Sequence, residues 1–173
     1  MRLEGYVPDM MDQNILSVYL NNHLTASSAG LELFRRVAKQ HAGSDQGAEL
    51  TRLAEEIEAD RNALVDIMRR LDVEQNKVMT SLGWAAEKVG RLKPNGYVVR
   101  RSPLADIIEL EGLRVGVAAK MAGWQVIRAV AVHDSRISKE ELETLLERAE
   151  DQSERLYKLH LRAAQEQLEQ ADS

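Results

Sequence analysis

Apolar residues recur at helical spacing along four long stretches of the chain. Stepping each stretch at about 100° per residue gathers them into one stripe per helix. Over about 14–41 the stripe is Leu16, Leu20, His23, Ser27, Gly30, Leu31, Phe34 and Ala38. Over about 46–72 it is Leu50, Leu53, Ile57, Asp60 with Arg61, Leu64, Met68 and Leu71. Over about 138–169 it is Leu142, Leu145, Leu146, Ala149, Gln152 with Ser153, Leu156, His160 and Ala163. The fourth stretch, 103–132, is the most apolar of all. Each of the three stripes is broken by polar residues near mid-helix.

Start and stop signals bound these helices. Residues 1–13 form a polar lead-in containing Pro8, in which Asp9 or Asp12 is placed to cap the first helix. Gly43 follows that helix, where a left-handed residue is common, and Ser44-Asp45 opens the second. Ser102-Pro103 puts a capping residue before a proline at the first helical position. Ser138 and Glu141 have the spacing of a capping box. The short turns after the first and third helices predict two antiparallel hairpins. Between them, 73–101 is a long crossover. It holds a shorter amphipathic helix at about 75–90, with Val78, Leu82, Ala85 and Val89, and then the breaker Lys93-Pro94-Asn95-Gly96. The expected fold is all-α: one domain over 14–169, a four-helix bundle of two hairpins joined by a long crossover, which is the ferritin-like arrangement.

Composition narrows the chemistry. The 173 residues suffice for a core without staples, and the absence of cysteine excludes thiolate metal sites and thiol catalysis. The N-terminus lacks the apolar core of a signal peptide. Asp106, Glu109, Glu111, Arg114, Lys120 and Arg128 in the most apolar stretch argue against a membrane span. A net charge of −5 carries no nucleic-acid signature. The chain is therefore expected in the cytoplasm.

Ala105, Gly112, Gly116, Ala119 and Gly123 fall within about 60° of one another on the third helix. Each glycine costs up to about 1 kcal/mol of helix propensity against alanine. The row therefore predicts close approach of a neighbouring helix, in the same chain or across a homodimer interface.

The candidate buried polar network is His23, Ser27, Asp60, Arg61, Glu109, Ser153 and His160, with Lys120 on the same side as Glu109. Two readings compete. In one, His23, Asp60, Glu109 and His160 ligate iron or manganese, or the set binds another small ligand. In the other, the groups satisfy one another and set bundle register. Arg61 favours the second, since a cation neutralises carboxylates and repels metal. The acids at Glu55, Glu56, Glu58, Glu147, Glu150 and Asp151 read as solvated faces, and Trp84 and Trp124 as packing residues. The crossover carries a basic patch of Lys88, Arg91, Lys93, Arg100 and Arg101, with the aromatics Trp84 and Tyr97 alone nearby. It would hold an anion or phosphate group, or dock on an acidic surface, but it is a poor nucleic-acid site.

The ligands of the usual di-iron bundle are missing. That site takes Glu-x-x-His from two helices and a Glu from each of the others. The residues three before His23, His41, His133 and His160 are Leu20, Ala38, Val130 and Tyr157. In two phrases, 19–32 (Tyr19-Leu-Asn-Asn-His-Leu-Thr-Ala-Ser-Ser-Ala-Gly-Leu-Glu) and 101–112 (Arg101-Ser-Pro-Leu-Ala-Asp-Ile-Ile-Glu-Leu-Glu-Gly), the chain resembles a group of ferritin-like bacterial proteins of unassigned function. The resemblance spans about 14–168 and implies the bundle architecture without ferroxidase, iron-storage or peroxide-reducing sites. The expectation is a non-catalytic, metal-free bundle with no cofactor, acting as an interaction or scaffold protein and forming a homodimer. The alternatives are a divergent metal-dependent oxidase or stress protein, and anion binding at the basic crossover.

Overall fold

The computed structural model describes residues 13–76 and 104–171. Over these residues the chain is all-α, with no strand. Its four helices are α1 (Gln13–Gln40), α2 (Asp45–Arg70), α3 (Leu104–Val130) and α4 (Lys139–Ala171). Their ends lie within two residues of the spans set by periodicity and capping. The lead-in with Asp9 and Asp12, the helix at about 75–90, the Ser102-Pro103 start and the basic patch lie outside the described residues.

Local chemistry accounts for the boundaries. Gly43 adopts φ +86°, and the Ser44 hydroxyl accepts the Gly47 N–H at 3.1 Å to cap α2. Gly47 is buried in the first turn of α2, and a Cβ there would collide with the His41 backbone. The α1–α2 turn is tight for that reason. At the other end of α2, the Val73 N–H reaches the Met68 carbonyl at 2.9 Å and the Asp72 N–H reaches the Arg69 carbonyl at 3.2 Å. This is a Schellman closure with Asp72, at φ 57°, in the left-handed position usually given to glycine. At α4 the Ser138 hydroxyl accepts the Glu141 N–H at 3.1 Å, while the Glu141 carboxylate pairs with Arg70 at 2.6 Å. One arm of the capping box forms, and the other is diverted to join the two hairpins.

Cross-helix pairs set the topology. The Arg36–Glu109 and His41–Asp106 pairs, with Gly123 against His23, run α3 antiparallel to α1. Arg155–Glu49 and Arg70–Glu141 run α4 antiparallel to α2. It follows that α2 and α3 point the same way, and the end of α2 lies at the opposite end of the bundle from the start of α3. The buried Asn21 of α1 marks where the chain leaves α2. Its amide donates to the Glu74 carbonyl at 3.0 Å, and its side-chain oxygen accepts the Asn76 N–H at 2.8 Å. Residues 74–76 are thereby fastened against α1.

The core has two halves. One gathers Leu20, Leu24, Ile67, Met68, Trp124, Ile127, Leu142 and Leu145. The other gathers Phe34, Val37, Leu50, Leu53, Leu110, Leu113, Val117 and Leu156. Met121 packs against both, and the fully buried Gln152 and nearly buried Asp60 lie between them. Among the described residues no helix is long and apolar enough to cross a membrane.

Two glycine substitutions should have opposite effects. Gly47→Ala forces its methyl into the His41 backbone and should cost about 1–3 kcal/mol, the usual range for overpacking. Gly116→Ala meets nothing within 4 Å and should stabilise by about 0.5–1 kcal/mol through helix propensity. Urea unfolding of both variants measures the contrast.

Candidate functional site

The polar interruptions of the stripes converge in part, on Asp60. Only 1% of its side chain is exposed. Its Oδ2 accepts from Lys120 Nζ on α3 and from Gln152 Nε2 on α4 at 3.2 Å, and its Oδ1 is ion-paired with Arg148 Nη2 at 2.5 Å. Lys120 also donates to Gln152 Oε1. Gln152 Nε2 reaches on to Glu56 at 3.1 Å, and Arg155 binds Glu49, Glu56 and Asp151. Burial pushes the Lys120 ammonium below the ordinary lysine range, and Asp60 opposes that shift. Burial alone would lower the Arg155 pKa, but hydrogen bonds to Asp151, Glu56 and Glu49 outweigh it and raise the value. A carboxylate taken out of water needs such partners, since an isolated buried charge is far more costly than a paired one.

The other predicted members lie on separate seams. His23 lies between α1 and α3, with its ring about where a Gly123 Cβ would stand (Nδ1 2.9 Å from that position). Burial lowers its pKa. The Ser27 hydroxyl donates to the carbonyl of Leu24 in its own helix at 2.7 Å. Arg61 turns toward α1 and donates from Nε to Ser28 Oγ at 3.0 Å. Glu109 faces Arg36 at 3.5 Å across the α1–α3 seam. His160 belongs to the α3–α4 seam, where Nδ1 receives Arg114 at 2.9 Å and Nε2 faces Glu111 at 3.5 Å. Arginine can only donate, so Nδ1 is the acceptor and the ring proton sits on Nε2. Ser153 is half-buried on α4. Of the predicted network, Asp60 stands in the mid-bundle cluster, joined by Lys120.

Those placements test the fit of a di-iron centre. Both oxygens of Asp60 are engaged by cations, and His23, Glu109 and His160 are divided between two other seams. Among the described residues no group of three His, Asp or Glu side chains could hold a metal ion. The donor set among the described residues does not fit a di-iron centre.

The members that periodicity did not single out are Arg148 and Arg155. They had a sequence signal: Glu49, Glu56 and Asp60 share a face of α2, and Arg148, Gln152 and Arg155 share a face of α4. Run antiparallel, the acids of one meet the bases of the other. Glu56 therefore belongs to the network rather than to a solvated face, while Glu58 pairs on the surface with Arg35 at 2.8 Å.

The small-residue face of α3 does not meet a helix along its length. Gly123 abuts His23 and Gly112 lies 3.6 Å from Leu33, yet Gly116 and the facing Gly30 of α1 have nothing within 4 Å of an added Cβ. Between them lies a cavity of about 110 Å³, floored by Phe34, Ile57, Leu64, Leu113 and Ile127, with Asp60, Arg61 and Lys120 at its polar end.

Removing one member of the Asp60 cluster should leave charge buried without compensation. Asp60→Ala is expected to cost about 3–5 kcal/mol, and Asp60→Leu combined with Lys120→Met should recover much of the loss. Denaturant unfolding of the single and double variants measures the difference. His23 should make stability pH-dependent. Its lowered folded pKa means the unfolded chain binds the proton more readily, so stability is lost as pH falls through about 6.5. His23→Gln should lose less stability between about pH 7.5 and 5.5, as read by thermal melting.

No protein-family model matches the chain, and neither curated proteins nor solved structures yield a match.

Proposed function

We propose that the protein is a ferritin-like bundle whose metal centre is replaced by an internal ion-pair layer, and that it acts as a non-catalytic interaction protein that self-associates. The observation that carries this reading is the closure of mid-bundle Asp60 by Lys120 and Arg148. At that level a di-iron bundle would present carboxylates to metal. Here the protein supplies its own cations, which satisfy the acid and repel divalent ions. The antiparallel α1–α3 pairing, with α2 and α3 parallel, supports the ferritin-like assignment.

The interaction half rests on the outer face of α3 and α4. Leu104, Ile108 and Val115 on α3 and Tyr157, Leu161 and Leu168 on α4 are exposed, Val115 and Leu168 each by 68%. Both triplets have spacings of four and seven residues, so each forms one stripe along its helix. Arg114 lies over the Tyr157 ring at 5.2 Å, which places the two stripes side by side across the hairpin. Glu111 and Arg114 between them offer both signs of charge, as a two-fold copy of the same face requires.

Sedimentation and metal content test the two halves of the reading. A dimer is expected that Val115→Glu converts to monomer, with melting temperature unchanged by chelation or by added iron or manganese. Stoichiometric metal that stabilises the fold would sink the metal-free reading. A monomer across micromolar concentrations would sink self-association.

A further inference from the structure

We propose that the cavity between α1 and α3 is a binding site for a small monocarboxylate with a compact apolar body. Shape comes first. The side walls are Gly30 on one helix and Gly112 and Gly116 on the other, and a Cβ at Gly30 or Gly116 would project into open space. Glycine in mid-helix is unfavourable, and neither position is required by a close neighbour among the described residues. Gly112 and Gly116 are themselves exposed, so the cavity opens to solvent along α3 and the glycines leave its mouth uncovered. Its volume of about 110 Å³ is smaller than the roughly 150 Å³ of a closed engineered cavity that admits benzene, but its open side along α3 lets part of a ring project into the mouth.

Polarity narrows the ligand class. Trp124 lines the cavity and is 3% exposed, yet its indole Nε1–H is buried with no hydrogen-bond partner among the described residues. A donor left so in a protein interior is costly, and a bound acceptor would relieve it. Arg61 lies at the same cavity, and its Nε donates to Ser28. No acid pairs with Arg61 among the described residues. Asp60 is already held by Lys120 and Arg148, so the one carboxylate at the polar end faces an excess of positive charge. His23 and Ser27 also line the cavity, the Ser27 hydroxyl donating to the Leu24 carbonyl; the donors left to recognise a ligand are the Arg61 guanidinium and the Trp124 indole. They select an acceptor bearing negative charge, and the planar arginine fork suits a carboxylate. The apolar floor of Phe34, Ile57 and Leu113 accepts the body. This inference is independent of the self-association proposed above, whose surface lies on the outside of α3 and α4.

Benzoate and benzyl alcohol, which share a ring and differ in charge, test the site by calorimetry on the full chain. Fluorescence in a Trp84→Phe background, where Trp124 is the remaining tryptophan, gives a second readout. Benzoate should bind saturably with Kd below about 1 mM and raise the melting temperature. Arg61→Gln should weaken benzoate by about tenfold or more and leave benzyl alcohol within about twofold. Gly116→Leu should fill the cavity and abolish binding of both, with helix content retained; Gly30→Leu fills it from the facing wall if the first variant does not fold. Absence of saturable binding by both probes overturns the site, as does benzoate binding that survives both filling variants. Benzyl alcohol binding as tightly as benzoate, or equal loss of both in Arg61→Gln, overturns the carboxylate assignment.

Discussion

The buried carboxylate of Asp60 is the constraint on which the rest of the bundle depends. It sits where the two halves of the apolar core meet, and it can be there only because three other groups reach it at once. Lys120 comes from α3, and Arg148 and Gln152 come from α4. Apolar packing alone tolerates a helix sliding or rotating by a turn, since leucines are interchangeable to first order. A single acid with directional partners on two helices is not so tolerant. Sliding α4 by one turn would strand Asp60 and break the Arg155–Glu49 and Arg155–Glu56 contacts together. The layer thus fixes axial register while the leucines supply most of the burial.

The same layer explains why the described residues carry no fitting set of metal donors. A metal centre in a four-helix bundle needs several carboxylates and imidazoles aimed at one point. Here one carboxylate is aimed inward, and two cations meet it. The histidines are spent elsewhere, His23 in the α1–α3 seam and His160 in a relay between Arg114 and Glu111. An internal cation and a metal ion are alternative answers to one electrostatic problem, and Asp60 is met by the first.

The α1–α3 seam is open at its middle. Its two ends are closed by His23 against Gly123 and by Leu33 near Gly112, and its middle is held open by the absence of side chains. Its polar end shares Lys120 and Asp60 with the register-setting layer. A ligand there would be felt by the groups that fix the bundle. On the outside of the same helix, Leu104, Ile108 and Val115 present apolar surface that the core does not use. One helix, α3, therefore serves the core, the cavity and an exposed face with different sides.

The sequence by itself determined the elements. Helical periodicity, the glycine at 43, the hydroxyls of Ser44 and Ser138 and the short turns were enough to set four helices and two hairpins, because these signals act over a few residues. Cysteine chemistry and the Glu-x-x-His ligands could likewise be excluded by reading alone. Only the tertiary structure decided which polar residues meet. Periodicity gives the angle of a side chain about its own axis; it gives neither the neighbouring helix nor the axial offset between them. His23, Asp60, Glu109 and His160 all lie on inward or flanking angles, yet they belong to three different seams. Arg61, adjacent to Asp60 in sequence, is rotated about 100° from it and serves α1 instead. The small-residue row was legible as a feature of α3, but whether a neighbour fills it or a cavity opens beside it depends on which residues of α1 face it: His23 and Leu33 meet Gly123 and Gly112, and Gly30 stands opposite Gly116. That offset between the two helices is set by the packing of all four together.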